Sequence, residues 1–310
     1  MNPGLFRARM RLVTCLRASL QRRGYQEVIT GCLQESAGPD PEIEPFPVPY
    51  RPRMEPQPGA RTLFLHPSPE FAMKRILCRG LPAIYQLGPA FRQGELGPGH
   101  APEFLMAEWY RAGWNYRDLM AEVEAVVTET VNGEVTVNGR KLRLEPPFPR
   151  LPVSEALAAA GVHPTDLQGA DECLRRERFY RVFVDRLEPW LARQGALFLA
   201  DFPPELALLA RLGTGGLAER FELIVAGVEL ANGATELTAA ADYRRRFDRD
   251  RVIRAATGKP DLPLPAAFLR DLDEFGLPDC AGVAVGVDRL AQLAAGVARL
   301  EEVQAFPFSR

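Results

Sequence analysis

Apolar residues recur three and four positions apart from Phe6 through Met10, Val13 and Leu16 to Leu20, while Arg7, Arg9, Arg11, Arg17 and Arg22 fall off that stripe. The spacing predicts an amphipathic helix over 4–23, ended by Gly24. Tyr25–Ile29 reads as a strand, and 37–59 carries so much proline that an extended loop is predicted. Thr62–Leu65 is a short strand. Ser68-Pro69-Glu70 opens a helix through Leu77, with Ser68 as N-cap and Pro69 at the first helical position. Ala83–Leu87 and Phe91–Arg92 pair with Phe104–Arg111 around a glycine-rich turn at 95–100. A helix follows at 116–131, and Asn138-Gly139 centres a hairpin over Val135–Leu144. Ser154–Ala160 and 171–194 are helical, Pro189 bending or ending the latter. Leu197–Ala200, Phe221–Glu229 and Ala281–Val285 are strands, and Asp288–Ala295 is a helix. Antiparallel pairs dominate and strand–helix alternation is missing, which predicts an α+β fold.

Composition narrows the chemistry. At roughly 150 residues per domain, 310 residues allow one large domain or two small ones. With 46% hydrophobic and 25% charged residues the chain is neither fibrous nor disordered. No apolar run approaches the roughly 18 residues of a membrane span, so a cytoplasmic protein is expected. Lys and Arg total 38 against 40 Asp and Glu, a net charge of −2 that offers no overall attraction for nucleic acid. Five cysteines without a CxxC pair and three scattered histidines indicate neither a disulfide framework nor a zinc site. Carboxylates and arginines must carry the chemistry.

Three constellations do so. Arg92 leaves a strand into Gly94-Glu95-Leu96-Gly97-Pro98-Gly99-His100, and Phe104 returns: a fixed cation, exposed amides and a ring suit a nucleotide, although an ordinary surface hairpin has the same ingredients. Gly282–Gly286 is a small-residue strand whose helix brings Arg289 into its first turn, where amides already favour an anion; a buried strand with a capped helix would look alike. Glu222 and Glu229 share a face of one strand only if a bulge intervenes, and two converging carboxylates would hold Mg²⁺ on a nucleotide.

Taken in order, Ser68-Pro69-Glu70-Phe71-Ala72-Met73-Lys74, the arginine hairpin with His100-x-Pro102-Glu103-Phe104, Glu108-Trp109-Tyr110-Arg111, Glu229-Leu230-Ala231-Asn232-Gly233-x-x-Glu236-Leu237 and Gly286-Val287-Asp288-Arg289-Leu290 resemble the class II aminoacyl-tRNA synthetases. The resemblance is to their lysyl branch, within it to the paralogues that lysylate elongation factor P, and it runs from about residue 4 to the end. It implies one catalytic domain over 1–310 without an anticodon-binding domain, and a homodimer paired through the N-terminal helix and strand, for which the apolar stripe from Phe6 to Leu20 also argues. It implies ATP and Mg²⁺, with Arg92 on the α-phosphate and substrate carboxylate, Arg289 on the γ-phosphate, Phe104 against adenine and His100 by the terminal phosphates. Glu95, Leu230 and Gly286 complete the nucleotide site, and Glu222 and Glu229 match the metal-binding acids.

Ser68, Glu70, Glu108, Tyr110, Asn232, Glu236 and Ala284 match amino-acid-binding positions for lysine or β-lysine. Several buried carboxylates repel one another unless a cation joins them, which points to a diamine substrate. Gly94 stands where the family's arginine hairpin has glutamate, so either Glu95 shifts into that contact or the contact is lost. Ala101 replaces a common asparagine and Ala234 an aromatic. Ala284, where lysyl-tRNA synthetases carry glycine, matches the paralogues. The expected acceptor is elongation factor P and not tRNA. A truncated synthetase that charges tRNA and an inactive paralogue that only binds remain as alternatives.

Overall fold

Asn2 accepts from the amides of Gly4 and Leu5 and starts helix α1 (Pro3–Arg22). In the computed structural model, residues 2–51 and 61–307 are described. After α1 come β1 (Gln26–Glu27), β2 (Leu33–Gln34), β3 (Phe46–Tyr50), β4 (Arg61–Leu65), α2 (Glu70–Cys78), β5 (Ala83–Phe91) and β6 (Glu103–Ala112). The middle of the chain forms α3 (Tyr116–Thr130), β7 (Glu134–Val137), β8 (Arg140–Arg143), β9 (Arg150–Pro152), α4 (Val153–Ala159), α5 (Glu172–Val182), α6 (Glu188–Leu191) and β10 (Ala196–Phe202). The rest holds β11 (Ala218–Val225), β12 (Val228–Thr235), α7 (Ala240–Ala256), α8 (Ala266–Phe275), β13 (Cys280–Gly286) and α9 (Val287–Ala295).

Eight strands form one sheet in the order β1-β5-β6-β13-β12-β11-β10-β9, antiparallel except for the outer pairs β1/β5 and β9/β10. This is the expected α+β arrangement. Its two faces follow from strand alternation. Trp109, Val283, Val285, Ala231 and Phe221 point into a core with Leu16, Leu20, Leu119, Val123 and Leu290 of α1, α3 and α9. The even-numbered residues point the other way. Glu108, Ala284, Asn232 and Glu222 are successive partners across β6, β13, β12 and β11, so they form one cross-strand row.

The structure corrects several expectations. The proline-rich 37–59 stretch contains β3, which pairs with β4 along one edge only, so Pro47 and Pro49 cost the sheet no internal donor; positions 52–59 of that predicted loop lie outside the described residues. Phe221–Glu229 is not one strand. Ala226 and Gly227 at φ 49° and 84° turn the chain back in a hairpin, because two left-handed residues match the twist of the flanking strands. Helices α7 and α8 have no counterpart in the sequence reading. In α7 arginines and aspartates surround Tyr243, Phe247 and Ile253, so no apolar stripe announces it. Three residues of the α1 stripe, Val13, Leu16 and Leu20, are buried inside the chain, which leaves Met10 as its exposed member. The Asn138-Gly139 hairpin forms as predicted, with both residues at positive φ.

Candidate active site

The even-numbered face of the sheet floors a cavity of about 580 Å³. The segment 37–43, the start of α2, and residues of α5 and α7 wall it. Buried arginines pin the first wall: Arg254 donates to the carbonyls of Asp40 and Ile43 at 2.9 and 3.2 Å, and Arg176 to Glu42 Oε1 at 2.8 Å.

At one end of the cavity the β5–β6 hairpin meets α9. Arg289 donates to the carbonyls of Gly99 and Glu229 at 3.1 and 2.9 Å and lies 2.8 Å from His100 Nε2. Burial and the Arg289 charge lower the His100 pKa, so the ring is neutral. Arg92 lies over the Phe104 ring at 5.2 Å, and its Nε is buried with no hydrogen-bond partner among the described residues. An orphan cationic donor in a cavity is what an anionic ligand satisfies. Gly94 takes φ 83°, a turn that favours glycine, and the next residue, Glu95, reaches to 3.4 Å from Arg92 Nη1. Gly286 and Leu230 line the cavity between these groups.

The carboxylate pair comes together by a route the sequence half anticipates. Glu222 lies on β11 and Glu229 on β12, and the pairing steps from Leu223↔Ala231 to Ile224↔Glu229, leaving Leu230 as a bulge. Asn232 Nδ2 lies 3.3 Å from Glu222 Oε1 and 3.5 Å from Glu229 Oε1. Arg220, which the sequence reading passed over, forms a tight ion pair with Glu222 and lies over the Phe202 ring; its spacing of two residues from Glu222 on one strand was the available signal. Burial pushes the Glu222 carboxyl up to about 7, with Glu229 adding to and Arg220 opposing the rise. No cluster of three or more metal-ligating side chains occurs among the described residues. Two carboxylates therefore fit a Mg²⁺ that arrives coordinated by phosphates, not a self-sufficient metal cage.

Beyond this pair the pocket is a carboxylate nest. Ser68 Oγ and Tyr110 Oη donate to the two oxygens of Glu108 at 2.6 Å each, and the Ser68 hydroxyl also accepts from the Glu70 amide at 3.0 Å. Ser68 is thus both a helix-end ligand and part of the pocket, one position earlier than a standard N-cap, which is Pro69. Burial and the charge of Glu70 push Glu108 up to about 7. Gly282 is required behind it: a Cβ there would lie 2.1 Å from the Tyr110 ring and 2.7 Å from Glu236 Oε1. Ala284 stands between Glu108 and Asn232 on the floor, and Ala234 pairs with Gly282.

The cation expected to join these carboxylates is supplied in part by the chain itself. Lys74 Nζ donates to Glu70 Oε1 at 2.5 Å and Glu236 Oε2 at 2.6 Å. Its spacing of four residues from Glu70 on one helix, visible in the sequence, places the two on one face. Burial opposes its charge, but Glu236 and Glu70 outweigh it and hold the ammonium well above the ordinary lysine range. Three carboxylates and one lysine leave a charge of −2 when all are ionised, but burial pushes Glu236, like Glu108, up to about 7, so near neutral pH the free pocket keeps part of that charge neutralised by protons. At the far end, Asp250 is pushed up to about 7 by burial and by Asp40; no sequence signal linked these two residues.

Residues 3–310 match the family described as tRNA synthetases class II (D, K and N). Among named relatives, "Elongation factor P--(R)-beta-lysine ligase" of Proteus mirabilis is 37% identical over 97% of this chain and 94% of its own length. Proteins of the same name from Hamiltonella defensa and Yersinia pestis are 34% and 37% identical, over 96% and 92% of this chain and 93% and 89% of their own lengths. The order of the sequence motifs, the antiparallel sheet and these matches agree: the chain belongs to the class II tRNA synthetases (D, K and N).

Proposed function

We propose that the chain is an ATP-dependent, AMP-forming ligase that activates (R)-β-lysine as an aminoacyl adenylate and passes it to a lysine side chain of elongation factor P. The observation that carries this reading is the pocket's make-up: three carboxylates against one lysine, in the same cavity as an arginine whose Nε is orphaned, which suits a diamine with a carboxylate at the other end. The names of the relatives supply the isomer and the acceptor. No described helix is long and apolar enough to cross a membrane.

In this reading Arg92 and Arg289 grip the α- and γ-phosphates, His100 sits by the terminal phosphates, and Phe104 stacks on adenine with Glu95, Leu230 and Gly286 around it. Glu222 and Glu229 hold Mg²⁺, which would neutralise phosphate charge. Ser68, Glu70, Glu108, Tyr110, Asn232 and Glu236 hold the amines, and the Ala284 methyl reshapes the floor for a displaced amino group. The substrate carboxylate attacks the α-phosphorus, and the bond to the bridging oxygen breaks to release pyrophosphate. An uncharged acceptor amine then attacks the acyl carbon, releasing AMP and a proton. Positioning and fixed charge carry both steps, so no protein nucleophile is needed. Two copies would pair through the surface around Ile29, which is 93% exposed, and Met10. Sedimentation at micromolar concentration tests the dimer; a monomer with full activity rejects it.

The acceptor test offers enzyme, ATP, Mg²⁺ and either lysine isomer to elongation factor P and to tRNA, and weighs both products. A lysyl-sized gain on the protein is expected. A gain on tRNA alone overturns the proposal, and no AMP formation with any amino acid leaves only the inactive paralogue.

A further inference from the structure

Lys74 does not line the cavity, yet it touches two residues that do. Its side chain is 0% exposed and bridges Glu70 on α2 to Glu236 just beyond β12, two carboxylates 166 residues apart in sequence. The other titratable groups facing this region are Glu108 and Tyr110 from β6, Tyr243 from α7 and Cys280 from β13. Burial keeps both tyrosines and the thiol neutral, so Lys74 is the cation of the cluster. Each glutamate spends one oxygen on Lys74.

We infer that Lys74 is a positioning residue for the amino-acid substrate: by taking one oxygen of each, it holds Glu70 and Glu236 side by side at the cavity wall, so that both can receive ammonium groups. The inference rests on the amine placement proposed above. Without Lys74, the buried Glu236 and the half-buried Glu70 would face each other with no internal counter-charge, and Glu236, which burial pushes up to about 7 against the opposing Lys74 charge, would keep its proton to higher pH still. A protonated carboxyl is a poor partner for an ammonium group, so substrate binding would weaken and would recover as rising pH removes that proton. A lysine that merely glued α2 to the sheet would produce no such pH dependence.

The experiment is ATP–pyrophosphate exchange with (R)-β-lysine and lysine from pH 6 to 9, for the parent chain and for Lys74→Met, which keeps length and removes charge. KM for the amino acid should rise at least ~10-fold at pH 7, the size of one charge-assisted hydrogen bond, while KM for ATP stays within about twofold. The difference should shrink towards pH 9. A rise shared equally by both substrates, or one independent of pH, overturns the inference. Calorimetric ATP binding by Lys74→Met and by Lys74→Gln checks folding, and loss of ATP binding in both assigns Lys74 to the fold and overturns it too. A parent chain that binds ATP but exchanges with neither isomer instead removes the ligase reading, and this inference with it.

Discussion

Arg289 Nη2 lies 2.8 Å from His100 Nε2, joining the first turn of α9 to a loop 189 residues earlier. A guanidinium can only donate, so Nε2 is the acceptor and the ring proton sits on Nδ1. With Arg289 also holding the Gly99 carbonyl, the glycine-rich turn is fastened before any nucleotide arrives. Arg289 and the loop proposed to cover the phosphates are thus preorganised as a unit.

Removing either end of the cationic cradle should therefore be severe. Arg289→Ala and Arg92→Ala should each lower adenylation by at least ~100-fold, the size expected when one preorganised charge donor is lost from a transition state. Pyrophosphate exchange reads this directly. A loss below tenfold in both would place the nucleotide elsewhere.

Glu95 reaches Arg92 only because Gly94 takes a left-handed turn. If Glu95 has taken over the contact made one residue earlier in the family, Glu95→Ala raises KM for ATP and leaves KM for the amino acid alone. An unchanged ATP dependence rejects the shift.

Gly282 carries the close approach of Tyr110 and Glu236. Gly282→Ala puts a methyl group 2.1 Å from the Tyr110 ring, and since overpacking of this kind typically costs about 1–3 kcal/mol, thermal unfolding should move down. KM for the amino acid should rise with it. A variant with parental stability and KM would contradict the packing described.

Glu108 gives a pH signature. Its folded pKa of about 7 lies above the ordinary 4.5, so between these values the folded chain keeps a proton that the unfolded chain has lost. Stability conferred by this group is present below the lower value and lost as pH rises through the upper one, a cost of at most about 3 kcal/mol. Glu108→Gln escapes that cost: its melting temperature relative to the parent should be higher at pH 8 than at pH 5, while its amino-acid KM rises. The same difference in melting temperature at both pH values would show that Glu108 is ionised in the free protein.

Alternation along Glu108-Trp109-Tyr110 already separates core from cavity, because successive side chains of any strand point opposite ways. The Asn138-Gly139 turn and the order of the arginine, glutamate and glycine motifs are equally local, and they made the fold class and the family legible from the chain. Which strands lie side by side is not local. The row Glu108, Ala284, Asn232, Glu222 exists because β13 inserts between β6 and β12, a pairing across more than a hundred residues that only packing of the whole sheet decides. The same holds for Lys74, whose spacing to Glu70 is visible in sequence but whose second partner, Glu236, arrives from the opposite half of the chain. Charge balance in a buried site is a sum over everything folding brings within a few ångströms, and no window of the sequence contains that sum.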